Sequence, residues 1–383
     1  MRKHFFNNQS NMSFQTLNII KPILDALQKK GYVQPTPIQS EAIPAILSGS
    51  DVLACAQTGT GKTASFSIPL LQRLSQSGSR HGIRGLVLVP TRELAIQVSE
   101  NLVQYGKNLA LRSVLVYGGV SSVNQVREIK RGADIVIATP GRLQDLIQQR
   151  VISLSQLEVI ILDEADRMLD MGFIREVKKI LALTPAKCQK VLLSATMPEE
   201  IQHLVSSILR NPITIKIAPP ADRTQITQAV YYVKRENKKA LLKYVIGEKQ
   251  MRNVLVFART KHGADKIARD LSKSGIAAEA FHGNKSQGAR QRSLTNFKKN
   301  ATQVLVATDI AARGIDISDL PFVINYEMPD TVETYTHRIG RTGRAGNIGT
   351  ALSFCDHEEK AQIKNLTRVS PGQIQVLRHP FAD

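Results

Sequence analysis

The chain has 383 residues, 51 Lys+Arg against 32 Asp+Glu, a formal net charge of +19 and a pI near 9.9. That length exceeds what one core ordinarily serves and favours two lobes, while the charge argues for a polyanionic partner, with nucleic acid ahead of a membrane surface. Cys55, Cys188 and Cys355 stand too far apart for a disulfide framework or a Cys-x-x-Cys zinc site, and neither a signal-peptide apolar region nor a transmembrane run is present, so a soluble, cytoplasmic protein with no membrane partner is expected.

From about residue 50, short apolar runs alternate with amphipathic or capped stretches, the pattern of an α/β protein. Strands expected at 51–55, 85–89, 114–117, 135–138, 159–162 and 191–194 make one mostly parallel, doubly wound sheet. Asn211-Pro212 and the proline-rich run from Ala218 to Arg223 place a linker at about 211–225, which gives expected domains of 1–217 and 218–383. The alternation resumes at 254–257, 278–281, 304–307, 322–325 and 351–354, and a helix-like stretch follows at 357–369; neither a short-period repeat nor a low-complexity tail is seen. The basic excess is local: residues 201–300 carry 20 basic and 6 acidic side chains, and residues 301–383 carry 8 and 10. Such a surface raises affinity by neutralising phosphates but carries no base information.

Ala56-Gln57-Thr58-Gly59-Thr60-Gly61-Lys62-Thr63 follows an expected strand and opens a helix, where backbone N–H groups can cradle phosphates. Lys62 then reaches the β and γ phosphates and the Thr63 hydroxyl completes a Mg²⁺ shell, although Ala56 stands where the general pattern has glycine. About a hundred residues on, Val159-Ile160-Ile161-Leu162 ends in Asp163-Glu164-Ala165-Asp166. Alone, an acidic pair is usually a helix-start charge. Beside the Lys62 loop, Asp163 becomes the Mg²⁺ partner and Glu164 the group that orients or deprotonates an attacking water.

Pro90-Thr91-Arg92-Glu93, Gly118-Gly119 and Thr139-Pro140-Gly141-Arg142 each follow a strand. Thr91 and Thr139 are expected to cap the next helices, which accounts for the threonines but not for Arg92 and Arg142 at two strand ends of one sheet. Ser194-Ala195-Thr196 ends another strand and reads equally as a turn. His337-Arg338-Ile339-Gly340-Arg341-Thr342-Gly343-Arg344 carries three arginines without core periodicity, and Arg341 and Arg344 are candidates for fingers onto a γ-phosphate.

In this order the motifs resemble those of the DEAD-box ATP-dependent RNA helicases of superfamily 2, most of all the bacterial RhlE-like group, from Phe14 to about Phe381. The resemblance implies two tandem RecA-like domains, ATP and Mg²⁺ as cofactors, and RNA as partner; composition alone allows DNA equally. It implies that Gln39, in the Gly31 to Gln39 segment, reads adenine with Phe14 packed beside the base, though from the residues alone Phe14 is core and Gln39 surface. By the same resemblance, Pro90, Thr91, Arg92, Gly119, Thr139 and Arg142 grip the RNA backbone. So do Arg259, Thr260, Lys261, His282, Gly283, Gln287, Arg290, Thr308, Asp309 and Arg313 in the second half. Gly314 and Asp316 lie toward the ribose, Asp166, Ser194 and Thr196 couple hydrolysis to duplex opening, and His337 and Arg338 link the domains across the nucleotide.

With aromatics at 5% and no tryptophan, base stacking is not indicated and backbone contacts are expected. The implied activity is RNA-stimulated ATP hydrolysis by a monomer, coupled to interdomain closure and local opening of short duplexes or RNA–protein remodelling. A non-hydrolysing RNA clamp and a DNA translocase are the alternatives; Glu164, Arg341 and Arg344 weigh against the first.

Overall fold

Seven short runs, β1 (Val52–Cys55), β2 (Gly85–Leu88), β3 (Ser113–Val116), β4 (Ile135–Ala138), β5 (Val159–Leu162), β6 (Gln189–Ser194) and β7 (Ile213–Lys216), pair in parallel in the order β3-β4-β2-β5-β6-β1-β7. The central ones are near-continuous Val, Ile and Leu, as strands covered on both faces require. Side chains alternate between two cores. Val87, Ile137, Ile161 and Leu193 join Ile43, Phe66 and Val98 on one face, while Leu88, Val136, Ile160 and Leu192 join Leu143, Met168 and Ile180 on the other.

The computed structural model describes residues 13–57, 59–78, 82–218, 226–312, 317, 319–343, 348–369 and 374–381. It divides into two compact units, Met1–Pro219 and Pro220–Asp383. In the second, β8 (Ile226–Tyr232), β9 (Val254–Phe257), β10 (Ala278–Phe281), β11 (Val304–Ala307), β12 (Phe322–Asn325), β13 (Gly349–Cys355) and β14 (Gln375–Val376) form a parallel sheet in the order β10-β11-β9-β12-β13-β8-β14. Counted from the first strand of each unit, the two orders are identical.

Three strands lie outside the sequence expectation. β7 falls inside the expected linker: it is a sheet edge, three of its four residues are exposed, and so it shows no apolar run. Thr227 and Gln228 break the apolar pattern of β8, and β14 is a two-residue addition to β8. The last helix begins at Lys360 rather than 357.

Candidate nucleotide site and nucleic-acid interface

Strands β5, β6 and β1 are neighbours, and their carboxyl ends set Asp163, Ser194 and Ala56 side by side, with Ala56 N–H donating to the Ser194 carbonyl at 3.0 Å. The loop after β1 turns through Gly59 and Gly61 at φ +88° and +94° and enters the Lys62–Gln76 helix. Lys62 is buried and folds back, donating from Nζ to the Ala56 carbonyl at 2.8 Å. Thr60 Oγ1 donates to the Gln57 carbonyl at 2.7 Å, and Thr63 lies half-buried in the first helical turn.

Gln39 is buried rather than a surface residue, and it holds this loop: Nε2 donates to the Gly61 carbonyl at 3.2 Å and Oε1 accepts from Thr36 N–H at 3.0 Å. Thr36 Oγ1 adds a bond to the Thr60 carbonyl at 2.7 Å. Thr36 was absent from the candidates, although its spacing to Gln39 is that of a capping box and could have flagged it. Phe14 is packed in the core, its ring 6.0 Å from that of Tyr32.

Asp163 is buried at the end of β5, Oδ1 accepting from Glu164 N–H at 2.9 Å; burial pushes its carboxyl up to about 7 against the pull of Lys62. A buried carboxylate so short of positive charge fits a cation. Among the described residues no group of three or more His, Cys, Asp or Glu is placed to hold a metal ion. Glu164 starts the next helix in the left-handed region, φ +54°, and its carboxylate pairs with Arg167, which the sequence reading did not include. Asp166 Oδ2 accepts from Ala195 N–H at 3.1 Å, Thr196 N–H at 2.8 Å and Thr196 Oγ1 at 2.9 Å, while Asp166 N–H donates to Ser194 Oγ at 3.3 Å.

The other half of this sheet edge, β3, β4 and β2, carries the arginine segments. Pro90 and Thr91 follow β2, and Thr91 caps the Arg92–Tyr105 helix by accepting from Leu94 N–H at 3.3 Å. Thr139 makes no such cap: the Pro140–Gln148 helix starts on proline, whose missing N–H and fixed φ suit that position. Gly119, φ +76°, lies directly under Arg92, so that any Cβ there would overlap the guanidinium. Arg142 donates from both Nη1 and Nη2 to the Val120 carbonyl at 3.3 and 3.2 Å. Two arginines from separate helices therefore converge on the 118–120 turn.

In the second unit β10, β11 and β9 are likewise neighbours. Arg259 follows β9, and its Nη2 donates to the Met328 carbonyl at 3.3 Å; Thr260 caps the Lys261–Ser272 helix, accepting from Gly263 N–H at 3.0 Å. His282 and the exposed Gly283 follow β10, with Gln287 opening the next helix and Arg290 stacked 4.9 Å over Phe281. Thr308 follows β11, nearly buried.

Two of the expected residues, Asp309 and Arg338, are paired with each other inside the second unit. Asp309, assigned to RNA, has both oxygens engaged by Arg338, Nε to Oδ1 at 2.6 Å and Nη2 to Oδ2 at 2.7 Å. Arg338, assigned to a link between domains, is buried within its own unit; Nη1 also donates to Asn325 Oδ1 at 3.0 Å and the Glu327 carbonyl at 2.8 Å, and the guanidinium lies 5.0 Å over Phe257. Arg341 is buried just after the Val332–Ile339 helix, whose last turn holds His337. Thr58, Arg313, Gly314, Asp316 and Arg344 lie outside the described residues.

The geometry is that of a phosphate-loop α/β protein with two sheets of one topology. A DEAD/DEAH box helicase family model matches residues 36–204 and a helicase conserved C-terminal domain model matches residues 236–346. The chain is 41% identical over 369 residues to the DEAD-box ATP-dependent RNA helicase RhpA of Helicobacter pylori, covering 96% of this chain and 74% of that protein. It is 39% identical over 373 residues to CshA of Bacillus subtilis, a DEAD-box ATP-dependent RNA helicase, covering 97% and 75%. Among solved structures, S. cerevisiae Dbp5 bound to RNA and ADP BeF3 matches with a TM-score of 0.85 at 28% identity, over 96% of each chain. The chain belongs to the DEAD-box family of ATP-dependent RNA helicases, and its two sheets are tandem RecA-like domains.

Proposed function

We propose that this chain hydrolyses ATP in response to RNA and uses the cycle to open short RNA duplexes locally, without base specificity. The observation that carries the reading is Asp166, which fastens the acidic strand end to Ala195 and Thr196 by three hydrogen bonds. A change at the phosphates cannot leave the 194–196 turn where it was.

In this reading Lys62 leaves the Ala56 carbonyl for the phosphates, Gln39 reads adenine while steadying Gly61, and Glu164 leaves Arg167 to orient the attacking water. Asp163 and Thr63 would hold Mg²⁺, which when bound would neutralise charge on the phosphate oxygens. Arg341 and Arg344 bring positive charge to the γ-phosphate as the units close on ATP and RNA. The RNA backbone runs along Arg92, Gly119 and Arg142 in one unit and Arg259, Thr260, Gly283, Arg290 and Thr308 in the other. Dbp5, similar in fold, binds RNA together with ADP BeF3, which supports a joint site.

Unwinding measured against duplex length tests this. Each base-pair step contributes about 1.4 kcal/mol, roughly tenfold in spontaneous dissociation, so opening a few pairs releases short duplexes only. A steep fall in rate with length is expected; undiminished unwinding of long duplexes contradicts the local mechanism.

A further inference from the structure

One acidic side chain in the second unit is placed to organise two of the strand-end loops at once. Asp265 lies in the second turn of the Lys261–Ser272 helix; Oδ2 is 3.0 Å from His282 Nε2 and Oδ1 is 2.8 Å from Lys285 Nζ. Lys261, at the start of that helix, donates to Asn284 Oδ1 at 2.8 Å, and Lys285 N–H donates to the His282 carbonyl at 3.1 Å. The loop after β10 is thus tied to the helix after β9 through Lys285 and Asn284, with the His282 ring lying against Asp265. Between His282 and Asn284, Gly283 faces open space, since a Cβ built there meets nothing within 4 Å.

The partners differ in what they can give up. His282 is 2% exposed and acts as a buried anchor, whereas Lys285 and Asp265 are 37% and 31% exposed. Ion pairs open to water to this degree are worth about 0–1 kcal/mol, so an arriving phosphate can take the ammonium from the carboxylate at little cost. The other acidic residues nearby are committed elsewhere, Asp270 to Lys239 at 2.7 Å and Glu279 to Thr302 at 2.6 Å and Asn296 at 2.8 Å. Lys285, held only by the half-open pair with Asp265, adds an exchangeable charge beside Gly283 to those of Arg259 and Arg290.

We propose that Lys285 is a further phosphate-contact residue of the RNA interface and that Asp265 is its positioning residue, holding Lys285 and the 282–285 loop in register until RNA arrives. The proposal rests on the RNA-helicase reading above. Binding of a fluorescein-labelled oligouridylate by the full chain, across a salt series, alongside RNA-stimulated ATP turnover, tests it. Lys285→Gln is expected to weaken binding about three- to tenfold and to lower the slope of log affinity against log salt by about 0.7, the amount for one phosphate on a single strand. Lys285→Arg restores that slope, and turnover at saturating RNA is unchanged in both.

Asp265→Asn makes the chain one unit more positive, which by charge alone tightens RNA binding; positioning requires the opposite, weaker binding with turnover at saturating RNA preserved. An unaltered salt slope in Lys285→Gln, or equal or tighter binding by Asp265→Asn, overturns the proposal. Wild-type turnover that RNA does not stimulate removes the helicase reading itself and this proposal with it, an outcome separable from failure in the variants alone.

Discussion

Thr196 gives Asp166 Oδ2 both of its donors, the backbone N–H at 2.8 Å and the hydroxyl at 2.9 Å. The carboxylate is buried, so these bonds are made where water does not compete. The helix that begins beside Glu164 and the turn that ends β6 therefore move as one piece.

Thr196→Val removes one of the three bonds and keeps the shape. It is expected to cost about 1 kcal/mol and to lower unwinding more than ATP turnover. The ratio of duplexes opened to ATP consumed reads this directly; equal loss in both denies the turn a coupling role.

Gly61 is a position of the phosphate loop closed to a side chain. At φ +94° any side chain is strained by about 1–2 kcal/mol, and a Cβ would overlap Gln39 Nε2 and come within 3.0 Å of Thr36 Oγ1. Gly61→Ala should abolish ATP binding, measured with a fluorescent nucleotide, while melting of the second unit stays as in the wild type.

Arg338 and Asp309 form a two-bond pair inside the second unit. Arg338→Ala should destabilise that unit by about 3–5 kcal/mol, because Asp309 is left without its partner, and a double-mutant cycle with Asp309→Ala should return a clear coupling energy. Arg338→Lys does not rescue it, since an ammonium cannot satisfy Asp309, Asn325 and Glu327 together. Additive single-variant effects in denaturant melts contradict the pairing.

Acid should expose a second buried pair. Burial favours neutral Asp356, but the hydrogen bond and charge of Lys238 outweigh it and hold the carboxyl below its ordinary value. A depressed carboxylate stabilises the fold fully above its unfolded pKa of about 4, and that contribution disappears as pH falls through the lower folded value. Asp356→Asn should accordingly lower stability at pH 7 by about 1–3 kcal/mol, with the gap closing toward pH 3. A gap independent of pH would refute this origin.

What the sequence made readable depended on how far apart the interacting groups lie along the chain. Lys62 and Asp163 were legible because each follows an apolar strand and carries its chemistry within a few residues. The Gln39–Gly61 and Asp309–Arg338 bonds span 22 and 29 residues and became visible only once the strands were ordered. Edge strand β7 was taken for linker because one exposed flank removes the apolar run that marks a central strand. Thr139, read like Thr91 as a cap, makes no side-chain cap bond to the helix that starts on Pro140.

The account stands most directly on ATP turnover by Glu164→Gln, with and without RNA. An amide can still accept a hydrogen bond from water but cannot take its proton, so turnover should fall by a factor on the order of 10²–10⁴ while ATP and RNA are both retained. RNA-stimulated turnover in the wild type, its loss in the variant and slow RNA release from the ATP-bound variant are the predicted results. Normal turnover by Glu164→Gln would contradict the account at its centre.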